Sequence, residues 1–297
     1  MTTFDETTES SPDITVFSSD TASTTVFSSA REAWRFRGFI SFMTKRELRT
    51  TYMRSYLGWI WSLLNPIAEV AIYSIVFGVL LDVSRAVPDA PGGFNSFPHF
   101  LLSGIAVWAF FRQVSSKILN NFMGTVRLRR KLYFPPVAAA ISTGLSTMVE
   151  ASLLLAVVGV FFAVFGHISI HALALIPAAL FAAIAGLGVG LALSVLNSRY
   201  RDVGYLYAIA LRLGFYLLPI IWPIQQAAGR FSNFPWLEPI ITSNPFAKMI
   251  SFGRDGILFM RWPPLSDWIY LSAFSLAVLM IGWAIFARSS ADVAEGL

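Results

Sequence analysis

Residues 45–81 read KRELRTTYMRSYLGWIWSLLNPIAEVAIYSIVFGVLL and decide the fold of this chain. The first half interleaves arginines with aromatic and aliphatic residues, a pattern typical of a helix that lies at an anionic membrane surface. From Ile60 to Leu81 the stretch is apolar, and Glu69 is its one charged residue. A helix of this length, at about 1.5 Å rise per residue, is long enough to cross the hydrocarbon core. The stretch therefore predicts an interface helix that turns near Gly58 into a membrane span.

The composition is that of an integral membrane protein. Of the 297 residues, 56% are hydrophobic and 13% are charged, and the mean hydropathy is +0.63. Soluble domains carry about 25% charged residues, roughly twice this fraction. The chain has no cysteine, which excludes disulfides, cysteine catalysis and thiolate metal sites.

The first 29 residues differ from the rest. They are rich in Ser and Thr, contain five acids and no Lys or Arg, and lack the apolar run of a signal peptide. We expect residues 1–29 to form a disordered cytoplasmic tail. The sequence TVFSS occurs at 15–19 and again at 25–29. It is either chance repetition in a low-complexity segment or a short docking or phosphorylation element.

The remainder, residues 30–297, predicts an all-α membrane domain. An interface helix over 31–58 is followed by six segments that are each long enough to span a bilayer. These spans lie near residues 60–81, 99–122, 138–165, 172–196, 203–224 and 266–287. Within the fourth span, the GLGVG sequence at 186–190 should let another helix approach closely.

The outer loop 225–265 is too long and too rich in aromatic residues and proline to be a simple connection. We expect short re-entrant or interfacial helices there, because backbone at membrane depth must be helical or covered by protein. One of them should start with Asn244 as N-cap and Pro245 as the first helical residue.

Orientation follows from the positive charges. With the N-terminus inside, the inner segments hold fourteen Lys and Arg residues and the outer segments hold five. The positive-inside rule therefore predicts that both termini are cytoplasmic. The net positive charge belongs to this membrane surface and does not indicate nucleic-acid binding.

Catalytic motifs are missing from the sequence. It contains no G-x-x-x-x-G-K-[ST] phosphate loop, no G-x-S-x-G elbow and no H-E-x-x-H pair. His167 and His171 have the i, i+4 spacing of a metal pair, but they fall in a short outer turn without an evident third ligand. We expect no catalytic residue, metal site or cofactor in this chain.

Charged residues inside the predicted spans are more informative. They are Glu69, Arg112, Lys117, Glu150 and Arg212. Because unpaired charges are costly at membrane depth, we expect ion pairs among them. Glu69 and Arg212 are each tenth from the cytoplasmic end of their spans, so we predict that these two pair. The alternative is that some of these groups lie nearer the interface or face water.

Aromatic residues are concentrated in the opening stretch and in the fifth span. The candidates for a conduit are Tyr52, Tyr56, Trp59, Trp61, Tyr73, Tyr205, Phe215 and Tyr216, and Tyr207 and Trp222 of the fifth span belong to the same aromatic set. Such rings could form a membrane-interface belt. They could equally line a path for a sugar polymer, because aromatic faces stack on pyranose rings and phenol hydroxyls bond sugar hydroxyls.

Four motifs occur in an order that resembles the permease subunits of ABC-2 type polysaccharide exporters. They are TTYMRSYLGWIWSLLNP at 50–66, KLYFPP at 131–136, NSRYRDV at 197–203 and NPF at 244–246. The resemblance covers about residues 31–287. The second proline of YFPP departs from the family pattern, where this residue is often charged.

The resemblance implies a channel-forming permease that exports a polyprenyl-pyrophosphate-linked polysaccharide across the plasma membrane. Two permeases would form a homodimer with two copies of a separate ATPase, which binds ATP and Mg²⁺. The substrate would be a cell-wall galactan, O-antigen or teichoic acid, and composition leans toward an actinobacterial (mycobacterial) galactan exporter. The alternatives are an ABC-2 exporter of a drug or lipid and, less favoured, a membrane-embedded glycosyl- or acyltransferase.

The resemblance also implies residue roles. The channel would lie between the two permeases, lined mainly by the first and fifth spans, with 225–265 as an outer gate. Residues that would contact the ATPase are Arg127, Arg129, Arg130, Lys131 and Tyr133, with Arg199, Arg201 and Asp202 as a second contact. On the interface helix, Arg46, Arg49 and Arg54 could bind the pyrophosphate of the lipid carrier or hold anionic phospholipid.

Overall fold

A computed structural model describes residues 31, 33–52, 60–82, 88, 90–91, 94–129, 136–224 and 236–295. Within these ranges the regular structure is helical, and an isolated bridge between Ala90 and Phe94 is the one β contact. The described part of the chain is therefore all-α, as the sequence predicts.

Nine α-helices are described. They are α1 (Arg37–Tyr52), α2 (Ile60–Tyr73), α3 (Phe97–Arg129), α4 (Pro136–Val164), α5 (Leu175–Arg199), α6 (Asp202–Leu217), α7 (Leu237–Thr242), α8 (Pro245–Ile257) and α9 (Leu265–Glu295). Two of them have an irregular extension: α2 continues into a π-helix, Ser74–Leu80, and a 3-10 turn, Ile170–Ala174, precedes α5.

Three helical stretches among the described residues are long and apolar enough to cross a membrane. They are Val137–Val164, Ile170–Arg199 and Leu265–Arg288, and Leu64–Leu80 is a shorter apolar helix. Helices α3 and α6 occupy the predicted second and fifth spans. Helix α3 carries charged residues within its length, and helix α6 has only 16 residues. The chain is a membrane protein with several apolar helices, and the count of six spans stays a prediction.

The fifth span ends earlier than the sequence predicts. Helix α6 stops at Leu217, seven residues before the predicted end at residue 224. Leu218 is extended, with φ −77° and ψ 152°, and Pro219 follows it. A residue before proline is forced out of the helical region, and proline has no N–H to continue the ladder. The helix within the fifth predicted span therefore ends at Leu217, and residues 218–224 continue in a non-helical conformation.

The core is built around α5, whose small residues pack against α3 and α9. A Cβ added to Gly186 would lie 2.9 Å from the carbonyl oxygen of Phe111, and one added to Gly190 would lie 2.9 Å from that of Ser115. A Cβ added to Gly188 would lie still closer to the carbonyl oxygen of Val278 in α9. Such contacts exclude any side chain, so the predicted role of the GLGVG sequence in close helix approach is confirmed.

Helices α2 and α6 have large exposed apolar faces in the single chain. On α2 and its π-helical extension, Ile72, Ile75 and Val79 are exposed, and on α6 so are Leu213 and Leu217. The core cluster buries these two helices along one side through Val70, Leu211 and Phe215. Contiguous apolar faces of this kind are covered in the assembled state by lipid or by another protein surface.

Candidate functional site

A cavity of about 390 Å³ lies between α2, α3 and α6, and we name it the polar cleft. Each helix contributes charged or hydroxyl groups to its wall. Its polar lining residues are Glu69, Tyr73, Arg112, Ser116, Asn120, Tyr207, Arg212 and Tyr216. Small-molecule sites have volumes of roughly 300–1,000 Å³ and are mostly apolar, so a site with this many polar groups suits a polar ligand.

A second cavity of about 810 Å³ adjoins the polar cleft on the α4 side. Both cavities are lined by Glu69, Arg112, Ser116 and Asn120, which therefore separate the two spaces. Trp61 from the start of α2 also lines the second cavity. The two cavities together form a polar region along one side of α3.

Glu69 forms an ion pair with Arg112, whose Nη1 lies 3.9 Å from Oε1 of the glutamate. The predicted partner, Arg212, lines the polar cleft but is not the ion-pair partner of Glu69 in the structure. Depth counting placed Glu69 and Arg212 at one height, but height does not fix which helix faces lie together. Helix α3 packs beside α2 and brings Arg112 to the carboxylate, so the predicted pairing is wrong.

Lys117 and Glu150 form the second ion pair. Lys117 Nζ lies 2.7 Å from Glu150 Oε2, which joins α3 to α4, and the glutamate side chain is only 10% exposed. The expectation that charges within the spans pair with one another holds for these two residues. Both line the second cavity.

Several predicted conduit aromatics meet at the polar cleft. Tyr73 of α2 lies with its ring centroid 5.5 Å from that of Phe215, and Phe215 packs edge-on against Tyr216. All three line the cleft. Tyr205 lines neither cavity and is 74% exposed. Of the other candidates, Tyr52 ends α1, while Tyr56 and Trp59 lie outside the described residues.

Two further aromatic residues belong to the cleft. Trp108 lies on α3, one turn before Arg112, and its buried Nε1 has no hydrogen-bond acceptor among the described residues. Tyr207 donates a hydrogen bond of 2.6 Å from its hydroxyl to Ser115 Oγ. Trp108 is not among the aromatic residues predicted from the sequence to line a conduit. Its i, i+4 spacing from Arg112, which places both on one helix face, was the available signal.

The region around α8 is held together by a buried arginine. Arg254 of α8 is 4% exposed and donates hydrogen bonds to the carbonyl oxygens of Phe100, Pro219 and Ile220. Its guanidinium also stacks on the Phe100 ring at 3.6 Å. Burial lowers the pKa of Arg254 to about 9, so it stays charged at neutral pH. This one side chain links α8 to the start of α3 and to the segment that follows α6.

The start of α8 is as predicted. Asn244 is the N-cap, its side chain accepts a 2.9 Å hydrogen bond from the Phe246 amide, and Pro245 is the first helical residue. In the last turn of α8, Asp255 forms an ion pair with Arg261 at 2.6 Å. Burial raises the pKa of Asp255, and the Arg261 guanidinium partly offsets that rise.

His167 and His171 make separate contacts. His167 Nε2 lies 2.8 Å from the carbonyl oxygen of Leu258, and the ring stacks on Phe94. His171 instead contacts Ser169 and the edge of Trp262. Among the described residues no group of three His, Cys, Asp or Glu side chains could hold a metal ion.

The structure describes part of the predicted ATPase contact. Arg127 and Arg129 lie in the last turns of α3, whereas Arg130, Lys131 and Tyr133 lie outside the described residues. Arg199 ends α5, Arg201 precedes α6, and Asp202 begins it. This α5–α6 turn is fixed by the Asn197 side chain, which accepts a 3.0 Å hydrogen bond from the Gly204 amide.

The interface helix α1 packs against the membrane domain. Thr44 Oγ1 donates to the Ser142 carbonyl at 3.3 Å, and Asn121 of α3 donates to Glu47 at 3.1 Å. Arg46 and Arg49 lie on its exposed side, while Arg54 falls outside the described residues.

The family model and the similar proteins that match this chain indicate the same family. Residues 39–258 match the family model described as ABC-2 type transporter. The chain is 28% identical over 256 residues to an O-antigen export system permease protein, RfbA, of Klebsiella pneumoniae, which covers 85% of this chain and 92% of that protein. It is 22% identical to the RfbA permease of Myxococcus xanthus, over 90% of this chain and 98% of that protein.

A third similar protein has a different stated cargo. The polysialic acid transport protein KpsM of Escherichia coli is 22% identical, over 81% of this chain and 89% of that protein. The family match spans most of α1 through α8. The chain therefore belongs to the ABC-2 type transporter family of membrane permeases, in which a separate subunit hydrolyses ATP.

Proposed function

We propose that this chain is the channel-forming permease of an exporter for a polyprenyl-pyrophosphate-linked polysaccharide. Two copies would assemble with two copies of a separate ATP-binding subunit in the cytoplasmic membrane, with both termini in the cytoplasm. The proposal is supported by relatives whose names state O-antigen export and polysialic acid transport. Within this class, a cell-wall galactan, an O-antigen and a teichoic acid are the candidate cargoes.

The polar cleft is the observation that carries the proposal. Tyr73, Phe215 and Tyr216 present rings next to the charges of Glu69 and Arg112. Sugars combine apolar ring faces with many hydroxyls, and this mixture of aromatic and hydrogen-bonding groups matches both. A drug or lipid would match an apolar lining better.

Dimerisation would explain why α2 and α6 are so exposed. Their apolar faces flank the polar cleft, and a second copy placed against them would cover those faces and enclose the cleft. An isologous contact of this kind is the commonest way in which membrane and soluble chains form closed dimers. In that assembly Trp61 and Tyr205, which are exposed in one chain, would lie near the shared channel.

The interface helix would receive the lipid carrier. Arg46 and Arg49 are on the exposed side of α1, and a guanidinium binds phosphate through two parallel hydrogen bonds. With Arg54 they would recognise the pyrophosphate. The alternative is that they hold anionic phospholipid, which makes the same contacts without specificity for the carrier.

Coupling to ATP hydrolysis would use the two cytoplasmic loops. The end of α3, with Arg127, Arg129 and the following Arg130, Lys131 and Tyr133, would press on the ATPase. The α5–α6 turn, with Arg199, Arg201 and Asp202, would form the second contact. The turn lies beside α3, because a Cβ on Gly204 would be 3.7 Å from Leu119.

The test is ATP turnover by the purified permease–ATPase complex with and without a lipid-linked glycan. We expect the glycan to stimulate turnover, and Tyr73→Ala with Tyr216→Ala to remove most of the stimulation. Phe165→Ala, an exposed ring outside the cleft, is the matched control and should keep it. Equal turnover with and without every glycan offered, together with stimulation by a small lipid, would contradict the proposal.

A further inference from the structure

A groove separate from the polar cleft lies between α1, α4 and α5. We name it the apolar groove; its volume is about 860 Å³, within the size range of ligand sites. One face of α4 forms its floor through Ile141, Leu145, Met148 and Val149. These residues recur at helical spacing, so the floor is a continuous apolar strip along α4.

The wall contributed by α1 is different in character. Arg37, Ser41 and Lys45 line the groove and lie four residues apart, on one face of α1, and Trp34 lines it from just before the helix. The Arg37 guanidinium lies 5.9 Å from the Trp34 ring centroid. Neither Arg37 nor Lys45 has a carboxylate partner within the part of the chain that is described. The groove thus has a cationic, hydroxyl-bearing rim above an apolar floor.

A phospholipid has the complementary structure. Its phosphate would accept hydrogen bonds from the two cations and from the Ser41 hydroxyl, and an acyl chain would cover the floor. A zwitterionic lipid would match the floor but would keep a positive headgroup against Arg37 and Lys45. A glycan would match the floor poorly, because its hydroxyls would face the apolar side chains of Ile141, Leu145, Met148 and Val149. Charge complementarity therefore selects an anionic lipid.

We propose that the apolar groove binds one anionic phospholipid, with its phosphate on Arg37 and Lys45 and an acyl chain along α4. The lipid would join α1 to the membrane domain beside the Thr44–Ser142 hydrogen bond. This site is distinct from Arg46 and Arg49, which do not line the groove. The inference does not depend on what the transporter exports.

The test is native mass spectrometry of the full chain purified with its ATPase. Phosphatidylglycerol and phosphatidylcholine with identical acyl chains are the probes. We expect one phosphatidylglycerol retained per permease, with affinity at least roughly tenfold above that of phosphatidylcholine, since each basic residue contributes to binding an anionic lipid. Arg37→Gln with Lys45→Gln should reduce phosphatidylglycerol binding to the phosphatidylcholine level.

Two further variants separate the groove from general surface charge. Arg31→Gln with Arg35→Gln removes the same charge from exposed positions that do not line the groove, and should leave retention unchanged. Val149→Trp places a large side chain on the floor and should reduce retention of both lipids. Assembly with the ATPase shows that each variant is folded, and the comparison of the two lipids needs no variant at all.

Three outcomes would overturn the proposal. Equal retention of the two lipids would remove the role of the cationic rim. Equal losses in the groove and control double variants would show a diffuse surface effect. Displacement of phosphatidylglycerol by an equal concentration of undecaprenyl phosphate, without loss in the Val149→Trp variant, would assign the cations to a polyprenyl carrier.

Discussion

Lys117 and Glu150 are joined by a 2.7 Å ion pair that links α3 to α4 beside the polar region. The glutamate is mostly buried and the lysine is partly exposed, so the carboxylate depends more on the pair than the ammonium does. Removing one partner of a buried pair leaves a charge without compensation, which costs more than removing both. The pair therefore fixes how these two helices are placed around the second cavity.

The ion pair predicts that Lys117 and Glu150 are energetically coupled, which a double-mutant cycle measures. Lys117→Met should destabilise the protein by roughly 1–3 kcal/mol, because the mostly buried Glu150 carboxylate loses its 2.7 Å ion pair with the lysine. The double variant Lys117→Met with Glu150→Gln should be more stable than Lys117→Met alone. Thermal unfolding of the detergent-purified permease, followed by tryptophan fluorescence, measures both. Strictly additive effects of the two substitutions would show that the pair contributes no coupling.

The Glu69–Arg112 pair is longer, at 3.9 Å, and both side chains are over a third exposed. Exposed pairs contribute only about 0–1 kcal/mol to stability, so single substitutions should change unfolding little. Their effect should appear in glycan-stimulated ATP turnover, because both groups line the polar cleft. The swap Glu69→Arg with Arg112→Glu should restore turnover lost in each single variant. The swap of Glu69 with Arg212 is the control, and recovery there instead would favour the pairing predicted from sequence.

Local chemistry in the sequence was enough to predict some features. Asn244 and Pro245 start a helix through contacts within two residues, and the GLGVG glycines need only a neighbouring helix to have their effect. The partner of Glu69 could not be predicted in this way, because it depends on how α2 and α3 rotate against each other. The position of Trp108 in the cleft depends on the same packing. The end of α6 before Pro219 was readable from the sequence and was missed.

Of the substitutions considered, we expect Arg254→Leu to cause the largest loss of stability. The Arg254 guanidinium binds the carbonyl oxygens of Phe100, at the start of α3, and of Pro219 and Ile220, in the segment that follows α6. Arg254→Leu should destabilise by about 3 kcal/mol or more, because hydrogen bonds to a charged donor contribute roughly 1.5–3 kcal/mol each. Arg254→Lys keeps the positive charge but loses the planar guanidinium with its several donors, so it should recover only part of the lost stability.

The control for Arg254 is Arg261→Gln, which removes a mostly exposed guanidinium. We expect its thermal midpoint to fall less than that of Arg254→Leu, because only the ion pair with the mostly buried Asp255 is lost. Similar losses in the two variants, measured in the same detergent, would mean that burial of Arg254 has no special consequence.

Alanine substitutions at two glycines should change stability in opposite directions, because one glycine lies where α9 packs closely on α5 and the other lies in open space on α4. Gly282→Ala forces a methyl group into the Gly188 backbone and should destabilise by roughly 1–3 kcal/mol. Gly159→Ala, in the interior of α4, meets nothing within 4 Å and should stabilise by about 0.5–1 kcal/mol through helix propensity. Thermal midpoints of the two variants check this, and a stable Gly282→Ala protein would contradict the packing described for α5.

The most direct test of the account is glycan translocation in proteoliposomes that contain the permease and its ATPase. A lipid-linked polysaccharide is supplied on the side that carries the ATPase, and its appearance on the other face is followed with a membrane-impermeant lectin. We expect ATP-dependent translocation that requires the aromatic residues of the polar cleft and therefore fails in the Tyr73→Ala, Tyr216→Ala protein. Translocation of a small lipid but of no glycan, or full glycan export by that variant, would contradict it.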